Sequence, residues 1–465
     1  MVSGGYFMLA LQFNKMPPAR AILGACLLAA AAGAGAQSAG EVEFSRGVGF
    51  AQAPGQTPRT LGKGLSLKEG DRLTTSEGAS AIIKLEDGTR MTVRPNSELV
   101  LQQYHFRQNA PDNSMLMQLV RGGFRAVTGL ISKNSPNAAR VQTNTATIGI
   151  RGTDFDARVC ARDCAAESAR ITNAARPNAI QASAKIISSQ GEVNAVDSTG
   201  QRRRVVDGGS IYPGDLVETA SGTRAVLAFR DESRITLGSA TRFRVDNFVY
   251  DEKNAEEGRF LVSVLRGSVR ALTGLIGKAN NRNVGFSTAT ATIGIRGTGL
   301  DINCTGACAG EADAGGSGLT LFTWLGSIAV TPSGETALQI LQAGQGLFIS
   351  PSGIQPIFNQ PDIDGPRPDT VTVPPKLFSS DNVSDAEEGL FVFVRDGHIE
   401  IATAGEILHL GKGEAGFAGT AGDAKRPLDI PKFLDFDLIP MPNARNPLLV
   451  SVLSESGVKP NEQCK

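Results

Sequence analysis

The chain has 465 residues, 41% hydrophobic and 20% charged, enough for two or three domains that each bury a core. Lys plus Arg equals Asp plus Glu at 46 each, so no net field draws the protein to nucleic acid or anionic lipid. The strongest basic cluster, Arg202-Arg203-Arg204, reads as a strand or turn surface.

The N-terminus reads as an address. The apolar run from Ala21 to Ala34 follows Lys15 and Arg20 and closes on Ala34-Gly35-Ala36. A positive flank, a short apolar run and an A-x-A end predict a secretory signal peptide over residues 1–36, with Met16 as an alternative start. The run is too short to span a bilayer, which takes about 20 residues. No later segment is apolar enough to do so, and the mature chain is expected in an export compartment.

A duplication follows. The segments at Gly47 and Gly191, Gly70-Asp71 and Gly214-Asp215, and Ala81 and Ala225 all match at a separation of 144 residues. The runs from Arg121 and Arg266, and the two copies of TATIGIRGT from Thr145 and Thr290, match at 145. One unit is thus doubled in register, with a single inserted residue. Inside it the apolar period is two. A three-residue loop, Glu86 to Gly88, pairs Ile83 with Met91 and Ala81 with Val93, and Gly88 takes the left-handed position. The second copy repeats this with Leu227 opposite Ile235 and Ala225 opposite Leu237. Glu232 stands there in place of the glycine, so that turn is strained or of another type.

Short strands, 54 glycines and no long amphipathic helix predict an all-β fold of tandem modules, as a sandwich or a solenoid-like stack; short helical turns fall between Ala161 and Ala175. Smaller strand pairs at Gly326 and Gly397 look like the pair that opens each large unit. That overlap suggests a strand-by-strand stack, in which the pair at Gly191 finishes unit one and the pair at Gly326 finishes unit two. The expected limits are 37–178 for the first module, 179–355 for the second, 356–376 for a Pro/Asp-rich linker and 377–465 for a C-terminal strand pair and tail.

Cys160 with Cys164 and Cys304 with Cys308 each follow one copy of the repeated motif. In an oxidising compartment they are disulfide candidates, within each pair or across the two, and Cys464 is left over. No histidine lies near either pair, which argues against zinc. Within the repeated motif, Ile148 and Ile150 share one side of a strand. Gly149 and Gly152, like Gly294 and Gly297, allow a bend or close approach, and Thr153 and Thr298 complete the motif. Arg151 and Arg296 are read as satisfying backbone carbonyls at a strand corner, the alternative being an anionic ligand group.

Enzyme signals are poor. His105, His398 and His409 are read as structural or surface residues, and the G-x-G-x-x-G spelled from Gly411 to Gly416 as a strand-pair turn. Trp324 is read as packing inward rather than stacking a sugar. No catalytic residue, metal or cofactor is expected.

The run T-x-T-A-T-I-G-I-R-G-T-D-F, preceded by Gly-Asp, an Asp-Gly strand pair and Arg-Gly, resembles the FecR domain family. The chain looks like a double copy, the second departing at Gly299 and Leu300, where the first has Asp and Phe. The resemblance implies an exported bacterial β-rich sensory, binding or scaffold protein of the cell envelope. The best-known members relay a periplasmic signal of iron-siderophore uptake to a sigma factor through an anti-sigma segment and a membrane span. Neither is read here, so that role is not carried over. The leading expectation is a non-enzymatic protein that binds an envelope protein partner, periplasmic or secreted. Carbohydrate or cell-wall binding is the second.

Overall fold

The hairpins form as the residue pattern dictates. In the computed structural model, which describes residues 38–135, 138–312 and 316–435, strand Ser80–Leu85 pairs with Arg90–Val93. Ala81 lies opposite Val93 and Ile83 opposite Met91, with Gly88 at φ +85°. In the second copy Arg224–Phe229 pairs with Arg234–Leu237 in the same register, Ala225 opposite Leu237 and Leu227 opposite Ile235. Glu232 takes the glycine's place in the same turn at φ +68°, a left-handed conformation that costs a side-chain-bearing residue about 1 kcal/mol. Glu232→Gly should therefore raise stability by about 1 kcal/mol. Gly88→Glu should lower it by a similar amount, both read as shifts of the urea midpoint.

Each module is one sheet of 15 strands wrapped around its own apolar core. The strands of the first run in the same order as those of the second. Ser38–Arg46 pairs with Ser80–Leu85 as Ala184–Gln190 pairs with Arg224–Phe229. The long strands Ser114–Val127 and Arg259–Leu272 flank the repeated-motif strands Thr147–Cys160 and Ala291–Cys304. Short helices sit at Leu130–Asn134, Cys164–Ala169, Leu275–Ala279 and Lys432–Asp435. The expected signal peptide, Met16 and Cys464 lie outside the described residues.

The closing strand follows the expected stacked order in the second module and departs from it in the first. In the second module the next strand along the chain, Leu319–Pro332, pairs with Ala291–Cys304. In the first, the partner of Thr147–Cys160 is Gly389–Ala402, which returns from the far end of the sequence. The strand pair at Gly191 does not finish the first module; it only opens the second. The reason is apolar matching. Leu390, Val392, Val394, Ile399 and Ile401 are fully buried in the first core beside Ile148, Ile150 and Phe155. The second module is thus threaded into the first.

The Pro/Asp-rich segment is a strap rather than a free linker. Thr236 donates to the Pro366 carbonyl at 2.9 Å, Arg234 to Val371 at 3.0 Å, and Arg270 to Gly365 at 3.1 Å. Three side chains of the second module thereby satisfy the carbonyls of a segment whose prolines offer no N–H.

Candidate functional site

The repeated motif builds a crossing of two bulged strands. Gly152 and Gly297 lie at φ +61° and +66°, where the register shifts against the closing strand. The closing strand answers with Gly397 and Gly326. A Cβ on Gly397 would stand 2.3 Å from the Gly152 carbonyl oxygen, and one on Gly326 would stand 2.2 Å from that of Gly297. Only glycine permits that approach. The following threonine fastens the crossing. Thr153 donates its hydroxyl to the His398 carbonyl at 2.9 Å and its N–H to Thr128 at 2.7 Å. Thr298 does the same with Ser327 at 2.7 Å and Thr273 at 3.0 Å. Gly149 and Gly294 sit on the same strands.

Arg151 reaches the closing strand. Its guanidinium pairs with Glu400 on the closing strand at 3.2 Å. Arg296, at the same place in the second module, is exposed. Two members of the arginine run are paired: Arg203 donates to Asp215 at 3.1 Å, and Arg202 pairs with Glu218. Asp215, and Asp71 of the matching Gly-Asp, also accept a backbone N–H three residues back, from Tyr212 and Lys68 at 2.7 and 2.8 Å.

Cysteine pairing is local. Cys160 bonds to Cys164, and Cys304 to Cys308.

The second-copy departure at Gly299 makes room for a ring. A Cβ there would lie 2.3 Å from the Trp324 indole, which donates to Asp301 at 3.1 Å under the Arg367 guanidinium at 4.2 Å. In the first module Asp154 occupies the site and pairs with Arg125, while Asp156 pairs with Arg395 at 2.7 Å. The tryptophan is therefore half-buried and capped, not offered to a sugar.

The densest polar cluster lies where the modules meet. Lys185, from the first strand of the second module, donates to Glu414 at 3.1 Å and to the His409 carbonyl at 2.9 Å. Arg426 donates to the same carboxylate at 3.0 Å and to the same carbonyl at 3.1 Å. Lys185, Arg426 and Glu414 are all fully buried. Burial pushes the Lys185 ammonium down to about 8. Burial alone would raise the Glu414 carboxyl, but the two cations outweigh it and hold it low. Glycines let the surfaces approach: Gly208 lies against His409, and Gly411 against Ser210. Gly413, at φ +80°, turns the chain so that Glu414 points into the junction. The G-x-G-x-x-G run is thus a strand turn.

His398 and His409 stack here with ring centroids 5.5 Å apart. Burial holds His398 well below 6.5, helped by His409, Arg151 and Lys185; burial, Lys185 and Arg151 lower His409 to about 4. Both are neutral in the fold, while the unfolded chain takes up their protons near pH 6.5. Stability present above pH 6.5 is therefore lost as pH falls towards 4, by on the order of 3 kcal/mol for His409. His409→Gln should flatten the urea-midpoint profile across that window and leave it unchanged above pH 7.

Sequence reading placed the repeated motif but missed Lys185, Glu414 and Arg426. The one visible signal is a lysine inside the apolar run Ala184 to Ile187. Among the described residues no group of His, Cys, Asp or Glu is arranged to hold a metal, and no helix is long and apolar enough to cross a membrane.

These features define a pair of β-modules in tandem. Residues 71–176 and 215–312 match the family model described as FecR protein, so the chain has a tandem FecR-domain architecture. No curated protein matches it. Among solved structures it is similar to two crystal structures, at 1.65 and 2.50 Å, of a candidate anti-sigma factor from Parabacteroides distasonis ATCC 8503. Each is 14% identical with a TM-score of 0.23, over 31% of this chain and 59% of the other. The chain therefore spans under two thirds of those proteins.

Proposed function

We propose that the chain is an exported, non-enzymatic protein that works as a binding or scaffold module of the cell envelope, docking a protein partner along its strand edges. One observation carries this reading. The ionic clusters are spent on holding strands and modules together, while strands at the end of the second module keep an open edge. Among the described residues, Gln339–Gln342 pairs only with Leu319–Pro332, and Gly353–Ile357 only with Gln345–Ser350. An unpaired edge offers N–H and C=O groups to an added strand.

Export is supported by the leader read from the sequence and by two disulfides, which persist in oxidising compartments. The modules divide the chain as 37–178 with 377–435, and 179–375. Pull-down from envelope extracts with the full chain should recover a specific protein. Recovery of peptidoglycan or glycan instead would reject the reading in favour of the carbohydrate one, which the capped Trp324 does not support.

A further inference from the structure

Each module turns the same outward face towards a length of chain that adds no strand to its sheet. In the first module Arg94 donates to the Phe433 carbonyl at 2.8 Å and Arg395 to that of Leu434 at 3.1 Å. In the second, Gly238 stands in the place of Arg94 and Trp324 in that of Arg395, and the strap lies over them. The two covering segments share no sequence, one being the short helix Lys432–Asp435 and the other the Pro-rich run 360–371. The face therefore takes up chain through its free carbonyls, and each module is fitted to a different segment.

The second module reads its segment closely. Asp364 pairs with Arg224 at 2.5 Å and accepts the Ser239 N–H at 3.2 Å. Gly238 makes room for it, since a Cβ there would lie 3.2 Å from that of Asp364. Gly365 sits at φ +98°, and a Cβ on it would stand 2.7 Å from the Thr236 methyl, so only glycine fits. Ile363 and Pro368 are buried, and Arg367 lies over the Trp324 ring. An aromatic ring flanked by donors to the carbonyls of an extended Pro-rich chain is a known mode of peptide recognition, favoured because such a chain has little entropy to lose. The fit is incomplete. Arg234 Nε is buried without a hydrogen-bond acceptor among the described residues, so the strap leaves one donor of the groove unused.

We propose that this groove is a peptide-binding site held in cis by the strap, and that a protein partner docks there by an extended segment of the same chemistry. That chemistry is an Asp-Gly-Pro step followed by a cation and a second proline, as in Asp364 to Pro368. The site is separate from the open strand edges, and its test does not depend on them. Tethering sets the competition. A segment anchored at both ends acts at an effective concentration of roughly millimolar, so an incoming segment that also supplies an acceptor to Arg234 displaces it and a poorer one does not.

A fluorescein-labelled peptide of residues 360–372, followed by anisotropy on the full chain, tests this. Gly365→Val, which the left-handed turn rejects, unseats the strap and should make the chain bind the peptide about tenfold more tightly than the native chain does. Asp364→Ala, which frees Arg224 and the Ser239 N–H, should do the same. A peptide that itself carries Gly365→Val should bind neither variant. In the native chain, excess unlabelled peptide should speed hydrogen exchange of the chain's own Thr370 and Val371 amides, which bond within the strap, by about threefold or more. That measurement needs no variant, so it decides the case even where a substitution unfolds the module. No acceleration with peptide up to roughly millimolar makes the strap a fixed part of the module and overturns the proposal. Equal binding of the native and Gly365→Val peptides overturns it too.

Discussion

A chain stopped after Pro375 will keep its second module and lose its first. The strand Gly389–Ala402 closes the first core, and five of its side chains are fully buried there. Each contributes about 1.5–3 kcal/mol by burial, so their loss is on the order of 10 kcal/mol, comparable with the entire stability of a domain. The cut also leaves Thr147–Cys160 without its ladder and removes the Phe391, Phe417 and Phe433 cluster on the outer face. The second module loses nothing of its own sheet, since its closing strand and the strap both precede the cut. The single tryptophan, Trp324, separates the outcomes. Its emission should melt near its full-length midpoint, while amide protection disappears from Ser38 to Cys160. Retention of that protection would show that the first module closes without the returning strand.

How much of this could be read beforehand follows from how local each feature is. The hairpins were legible to the residue because the alternation of Ala81, Ile83 and Leu85, broken by Asp-Gly, fixes a pairing within a dozen positions. The Gly-Ile-Arg-Gly-Thr end of the motif could be located beforehand, because it is copied at identical spacing. The partner of the first motif strand could not be. The strands around Gly326 and Gly397 have the same alternation and the same bulge glycine, so nothing in their letters says which module each closes. The family model matches stop at 176 and 312, short of both closing strands. The strap was hidden for a different reason. Proline and aspartate predict an extended chain, and only the Arg234, Thr236 and Arg270 donors waiting on the sheet turn extension into docking. The junction triad draws Lys185, Glu414 and Arg426 from across the sequence, and no local window contains it.

That triad yields the second large effect. Glu414→Gln should cost about 3–5 kcal/mol, because it leaves Lys185 and Arg426 buried with no counter-charge. Lys185→Met should cost far less, since Glu414 keeps Arg426 and one desolvated ion is gone. The asymmetry distinguishes an ionic role from a merely space-filling one, which would make the isosteric Gln the milder change. The pH dependence gives a second check. Lys185 titrates in the fold below its ordinary 10.5, so between the folded value and 10.5 the unfolded chain holds the proton that the folded chain has released. Stability then rises with pH across that window, from about 8 in the native chain. In Glu414→Gln the carboxylate no longer supports the ammonium, so the folded value drops and the recovery begins at lower pH. Urea midpoints from pH 6 to 10 for the native chain, Glu414→Gln, Lys185→Met and the double variant would measure the coupling directly. Equal losses for the two single variants, with no alkaline recovery in Glu414→Gln, would mean that the junction is held by packing of Gly208, Gly411 and His409 alone.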